Sequence, residues 1–247
     1  MRLNSIAVIP ARYASERLPG KPLRLLGGKP LIQRVYESVV TTGLFSKVCV
    51  TTDDERIREA VHNFGCEVLM TSESCNSGTE RVIELRNRLN ADIIINVQGD
   101  EPFINKATLE KLINCFDKNP SISIASLMKK TKSYEEVTNP NVVKVVTDLS
   151  DFALYFSRSL IPYDRSASTP IERSFYTHIG VYGFRKSVLE VIANLKNGEL
   201  EHREKLEQLR WLENSLKIKM IETDYSGFGI DTEQDLARAE EMLKRFS

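Results

Sequence analysis

Two periodicities of apolar residues alternate along the first half of this chain. Ser5–Ile9 is a β-branched apolar run closed by Pro10, and it predicts a strand. Pro30 then opens a helix, where its missing N–H costs nothing. Ile32, Val35, Tyr36, Val39 and Val40 follow it at helical spacing. Lys47–Thr52 predicts a second strand, and Asp53 or Asp54 caps a second helix that turns Ile57, Ala60, Val61 and Phe64 inward. Gly65 stops that helix. Val68–Met70, Asp92–Val97 and Ile122–Leu127 predict further strands, separated by helices over Thr79–Leu89 and Ala107–Phe116. Strand alternating with helix implies an α/β fold with a doubly wound, mostly parallel sheet. The strands lack internal alternation, as strands covered on both faces do.

The pattern changes after residue 140. Val142–Val146, Phe152–Phe156 and Thr177–Phe184 predict strands with no long helix between them, hence an inserted antiparallel flap. Helices return at about Ser187–Leu195 and Glu201–Asn214, and Lys217–Glu222 is a short strand. Thr232 with Asp235 three residues on resembles a capping box, opening a last helix with Leu236, Ala239, Leu243 and Phe246 as its inner stripe. The whole reads as one domain, 1–247, with an inserted sheet near 140–185.

Composition narrows the function classes. The 247 residues carry 34 Lys plus Arg against 34 Asp plus Glu, and this balance disfavours a nucleic-acid binder. No stretch approaches the roughly 20 apolar residues of a membrane span. Ile6–Ile9 is too short for a signal-peptide core. Cys49, Cys66, Cys75 and Cys115 form no CxxC pair, so free thiols in a reducing, cytoplasmic setting are expected. Charge is nevertheless uneven. Residues 1–34 hold seven Lys/Arg and one acid, and residues 222–241 hold seven acids and one base. Such blocks are either solvated faces or an anion site near one end and a cation site near the other.

Ligands of open parallel sheets bind beyond the carboxyl ends of the strands. The first strand is followed there by PARYASERLPGKP, whose Arg12, Arg17 and Lys21 suit phosphate groups. It is neither GxxxxGK[ST] nor GxGxxG. The TTDD group at 51–54 is explained by helix capping for one Asp but not for both. The strand at 92–97 leads into QGDEP, where Gly99 permits a sharp turn and Asp100 offers a carboxylate to a hard cation. Asp231, also after a strand, is a second carboxylate. SGTER at 77–81 opens a helix and is equally compatible with plain capping. Two strand-end carboxylates and a cationic loop are the equipment of nucleotide chemistry with Mg²⁺.

On the segments IPARYASERLPGKPL, TTDDERI, SGTER, NVQGDEP, NPNVVKVV, ALYFSRSLIP, HIGVYGFR, LEQLR and GIDTEQDL, which run in order from residue 9 to 236, the chain resembles the CMP-Kdo synthetases (3-deoxy-manno-octulosonate cytidylyltransferases). The LxAGGxGTR loop of sugar-1-phosphate nucleotidylyltransferases is absent, and the sialic-acid CMP synthetases resemble the chain less beyond the PAR opening. The resemblance implies a nucleotide-diphospho-sugar transferase-like fold and a homodimer formed through the inserted sheet. It also implies Mg²⁺-dependent conversion of CTP and Kdo to CMP-Kdo and pyrophosphate for lipopolysaccharide assembly. By the same resemblance, Lys21, Arg12 and Arg17 handle the triphosphate, and Asp100 and Asp231 hold the metal. Ser77, Thr79 and Gln98 surround cytosine and ribose. Arg158, His178, Tyr182, Glu207 and Gln208 form the sugar-acid pocket, with Arg158 on the Kdo carboxylate.

Read without the resemblance, His178 is a satisfied histidine in an apolar strand, Glu207 a solvated helix residue and Trp211 core. Cys75-Asn76 stand where many members have a His before SGTER. The polar stretch 164–173 is expected to shape sugar access. Three readings compete: the same chemistry on an amino-Kdo or another sugar acid, a nucleotide-binding module without turnover, and a glycosyltransferase, which would carry a DxD motif.

Overall fold

The structure, a computed structural model, describes residues 3–15, 17–165 and 174–246. Most of the polar stretch 164–173 therefore lies outside the described residues, as does the side chain of Phe246. The elements follow in the order β1 (Ser5–Pro10), β2 (Leu25–Leu26), β3 (Lys29–Pro30), α1 (Leu31–Val40), β4 (Lys47–Thr52), α2 (Glu55–Asn63), β5 (Glu67–Met70), α3 (Gly78–Glu84) and β6 (Ile93–Asn96). They continue as α4 (Lys106–Lys118), β7 (Ile124–Thr131), α5 (Tyr134–Thr138), β8 (Lys144–Thr147), β9 (Ala153–Ser157) and β10 (Phe175–Arg185). The last are α6 (Lys186–Ala193), α7 (Glu199–Glu204), α8 (Gln208–Glu213), β11 (Ile218–Glu222) and α9 (Glu233–Phe246).

The chain divides into two compact units, Met1–Glu110 with Ser226–Ser247, and Lys111–Tyr225. In the first, β6, β1, β4 and β5 are neighbours in that order and all parallel. β1 and β6 are buried throughout, and their sequences are accordingly apolar but for Ser5 and Asn96 at their ends. Leu31, Ile32, Val35 and Val39 are the buried stripe of α1. Asp54 caps α2, accepting from the Arg56 N–H at 2.9 Å. A cluster of Leu18, Leu26, Leu31, Ile230, Leu236 and Ala239, with Leu243 against it, ties the loop after β1 to α9. The second unit places β11 parallel to β7, and β7 antiparallel to β10. β8 lies antiparallel to both β10 and β9, the antiparallel arrangement expected of that stretch.

Four features differ from the sequence expectation, the first being α5, a short helix in a segment with no expected element. The helix expected over Thr79–Leu89 stops at Glu84, and i→i+3 bonds from Arg86 to Ile83 (3.1 Å) and Arg88 to Leu85 (2.7 Å) tighten the rest. The helix expected over Glu201–Asn214 is two helices, α7 and α8, separated at Lys205, whose φ is +53°. A hairpin, β2–β3, turns through Gly27 and Gly28 at φ 57° and 76°. Positive φ at both central residues is the requirement of a type I′ turn, and Gly-Gly meets it.

Candidate active site

In the first unit the carboxyl ends of β1 and β6 emerge side by side, with Val8 opposite Asn96. Gly99 follows β6 so closely against β1 that a Cβ there would stand 2.6 Å from the Pro10 carbonyl oxygen. That approach sets the start of the next residue, Asp100. The loop after β1 is pinned by fully buried Leu18 and turns at Gly20 (φ 66°), whose absent side chain leaves room for the Tyr13 ring. The Ile230 N–H donates to the Asp100 carbonyl at 2.9 Å, so the segment before α9 is stitched beside QGDEP.

Residues far apart in sequence therefore converge. Lys21 Nζ donates to Asp100 Oδ2 at 2.6 Å and to Asp231 Oδ1 at 2.9 Å, across 79 and 210 residues. Arg17 pairs with Asp231 Oδ2 at 2.9 Å. Burial alone would pull the Lys21 ammonium down, but the two carboxylates outweigh it and hold its pKa above the ordinary value. Burial pushes Asp231 up, and Lys21 and Arg17 outweigh that, leaving its pKa lowered. The basic and acidic blocks of the sequence thus face each other within this unit. Arg24 to Glu233 (2.7 Å) and the Gly27 N–H to Glu240 Oε1 (2.7 Å) extend the pairing.

Asp100 and Asp231 turn hard carboxylate oxygens toward one small cation, the Lys21 ammonium. That donor set suits Mg²⁺, which is bound through one or two carboxylates with phosphates and water completing its shell. Among the described residues no group of three or more His, Cys, Asp or Glu side chains is placed to hold a metal ion.

Ser77, Thr79 and Gln98 come together at the same end of the sheet. Ser77 caps α3 by accepting from the Glu80 N–H at 3.1 Å. Thr79 is buried and accepts from Asn96 Nδ2 at 3.2 Å, and a Cβ on Gly78 would meet Gln98 Oε1 at 3.2 Å. The TTDD group divides its labour. Asp54 caps α2, while Asp53 takes Arg81 Nη2 at 2.8 Å. Arg81 is buried and also donates to Thr71 Oγ1 at 2.7 Å. Arg12 lines a separate cavity of about 340 Å³ with Asp53, Cys75, Asn76 and Arg81. Arg81, within SGTER, and Asn96, within NVQGDEP, carry no local signal of these partners, since each is reached across the fold.

The second unit holds the residues matched to a sugar-acid pocket. β10 advances from Ile179 to Tyr182 while β7 moves only from Leu127 to Ser126, a bulge. Ser126 pins it, with its hydroxyl 2.9 Å from the Val181 carbonyl and 2.8 Å from His178 Nε2. With the hydroxyl proton on Val181, the imidazole donates through Nε2 and keeps Nδ1 as an acceptor. Phe156 and Tyr182 flank the ring at 5.0 and 5.3 Å, and burial pushes its pKa down to about 3. Tyr182 meets Trp211 edge-on at 5.1 Å, and burial, then Glu207, raise its phenol. Gln208 is buried, and Glu207 stands at the start of α8. Arg158 is half-buried. Its Nε donates to the Glu204 carbonyl (2.8 Å), Nη1 to Pro140 (3.0 Å) and Nη2 to Lys205 (3.5 Å), three of its five N–H groups. Lys144 and Glu204, which sequence reading did not single out, surround it.

The four thiols are free, and burial pushes each pKa up, Cys49 to about 11 and the others to about 12. They are protonated and poorly nucleophilic at neutral pH.

A family model described as cytidylyltransferase matches residues 6–218. A protein of Flavobacterium johnsoniae named 3-deoxy-manno-octulosonate cytidylyltransferase is 47% identical over 241 residues, covering 97% of this chain and 98% of that protein. One of Porphyromonas gingivalis with the same name is 46% identical, covering 99% and 98%. Among solved structures, a CMP:2-keto-3-deoxy-manno-octonic acid synthetase complexed with CTP superposes with a TM-score of 0.92 at 39% identity, covering 99% of this chain and all (100%) of that one. An inositol-1-phosphate CTP transferase of T. maritima, 14% identical with a TM-score of 0.72, shares the fold.

Proposed function

The chain belongs to the cytidylyltransferase family, among the 3-deoxy-manno-octulosonate cytidylyltransferases, and on that premise we propose that it transfers the cytidylyl group of CTP to the anomeric hydroxyl of Kdo. The products are CMP-Kdo and pyrophosphate. The observation that carries this reading is the convergence of Lys21, Asp100 and Asp231 at the carboxyl edge of a parallel sheet.

In the reaction the sugar hydroxyl attacks the α-phosphorus and pyrophosphate departs in line. One P–O bond forms, another breaks, and no covalent enzyme intermediate is needed. Lys21, kept cationic by its carboxylate neighbours, stabilises charge at the α-phosphate. Arg12 and Arg17 hold the outer phosphates. Asp100 and Asp231 would hold Mg²⁺, which when bound adds charge at the phosphate oxygens and lowers the pKa of the attacking hydroxyl. Ser77, Thr79 and Gln98 orient cytosine and ribose. Arg158 pairs the Kdo carboxylate. His178, neutral at physiological pH, accepts from a sugar hydroxyl through Nδ1, and Tyr182, Glu207 and Gln208 complete the pocket.

A homodimer and a cytoplasmic location belong to the same reading. Leu149 and Leu154, at 107% and 61% exposure, offer apolar surface that a second copy would cover, and no described helix is long and apolar enough to cross a membrane. A sedimentation mass of one 28.1 kDa chain would contradict the dimer.

Asp100→Asn tests the site. Pyrophosphate release from CTP and Kdo should fall about a hundredfold or more, with Tm and CTP binding retained. Near-normal turnover would place the chemistry elsewhere.

A further inference from the structure

Lys144 opens β8 within an otherwise apolar run of sequence, Val-Val-Lys-Val-Val, and its side chain is fully buried. A buried ammonium must be satisfied, because it has three N–H donors and loses its hydration. Here all three find backbone carbonyls. Nζ donates to Asn139 at 3.0 Å, to Val142 at 2.6 Å, and to Arg158. We propose that Lys144 is a positioning residue for the sugar-acid pocket, acting through Arg158. The proposal rests on the reading that Arg158 pairs the Kdo carboxylate.

The geometry ties Lys144 to Arg158 in two ways. First, β8 lies between β9 and β10, so Ser157, Lys144 and Thr177 share one row across three strands. β9 and β10 both run antiparallel to β8, so Arg158 and His178, each one residue beyond a partner of Lys144, follow on from that row at the level of Val143. Second, the Arg158 guanidinium leans on the Pro140 carbonyl at 3.0 Å. Lys144 holds the carbonyls on both flanks of Pro140, those of Asn139 and Val142, while it grips the Arg158 backbone itself. Glu204 completes the clamp. One carboxylate oxygen accepts from the Arg158 N–H at 2.9 Å and the other from the Ser157 hydroxyl at 2.6 Å. An Arg fork recognises a planar carboxylate only when its plane is fixed, so loosening either support misdirects it. Burial, and then the neighbouring Arg158 charge, lower the pKa of the ammonium. The three carbonyl dipoles therefore hold a cation at some cost, and a packing role alone would be met by an apolar side chain.

The test is steady-state kinetics on Lys144→Met, Glu204→Gln and Arg158→Ala, and on the double variant Lys144→Met with Arg158→Ala. Circular dichroism establishes folding. Lys144→Met should raise KM for Kdo about tenfold to a hundredfold, the scale of a misplaced binding group, with KM for CTP within about twofold. Glu204→Gln, which keeps the side-chain volume and the Lys144 contacts, should show the same split, and Lys144→Gln, which keeps a donor for the carbonyls but not all three bonds, carries the test if Lys144→Met does not fold. The double variant should be no worse than Arg158→Ala alone, because the two act as one unit. A lowered Tm with unchanged KM for Kdo, equal rises in both KM values, or additive losses in the double variant would overturn the proposal. If Arg158→Ala itself leaves KM for Kdo unchanged, the Arg158 assignment fails, which is a different result from Lys144 alone being silent.

Discussion

At the scale of single residues, charge in this protein is set by what each group faces. Lys21 and Asp231 stabilise each other's charged forms, whereas His178, facing Phe156, Tyr182 and one hydroxyl, stays neutral. That neutrality has a measurable consequence. Its folded pKa of about 3 lies below the ordinary 6.5, so between those values the unfolded chain binds a proton that the folded chain refuses. Stability from this residue is full above about pH 6.5 and is lost as pH falls toward 3, at up to about 1.4 kcal/mol per pH unit. Chemical denaturation of His178→Gln at pH 4 to 7 should show a correspondingly shallower decline toward acid than the parent. Identical slopes would mean that the imidazole takes up its proton in the folded chain as readily as in the unfolded one.

At the scale of elements, the pivotal contact is the near touch of the two strand ends that deliver the site. Gly99→Ala would drive a Cβ to within 2.6 Å of the Pro10 carbonyl, which is backbone and cannot swing aside. Thermal unfolding should register a loss of about 1–3 kcal/mol, and turnover should fall as Asp100 shifts. An unchanged Tm with full activity would show that β1 and β6 can part without disturbing the site. The elements also show what was readable in advance. β1 and β6 announced themselves because strands buried on both faces leave mostly apolar runs, β4 by its Val-Cys-Val centre, and Thr232 with Asp235 announced α9 by its reciprocal cap. The division between α7 and α8 was not readable. Lys205 adopts φ +53° while the Glu204 carboxylate is taken by Ser157 and Arg158, distant groups that no local pattern encodes. The short α5 did carry a signal, Ser133 with Glu136 three residues on, that passed unused. The partners of the site were hidden for the same reason as the break. Asp53 finds Arg81, and Lys144 finds Arg158, only through tertiary contacts.

At the scale of the whole molecule, the balance of 34 basic and 34 acidic residues conceals a division of labour. The basic beginning and acidic end of the chain both belong to the first unit, and residues Ser226–Ser247 return to it after the whole second unit has been made. Asp231 rides on that return, so the Lys21, Asp100 and Asp231 group exists only in the folded chain. The motifs were legible as types of chemistry, cations for phosphate and carboxylates for a hard cation. Their meeting within 3 Å was not, since 210 residues separate Lys21 from Asp231. The most direct test of the account is pyrophosphate release by purified protein with Mg²⁺, CTP and Kdo, each omitted in turn, with UTP, ATP and N-acetylneuraminate as substitutes. Release that requires CTP and Kdo together is the predicted result, and a folded protein that binds CTP yet releases no pyrophosphate with Kdo would contradict it.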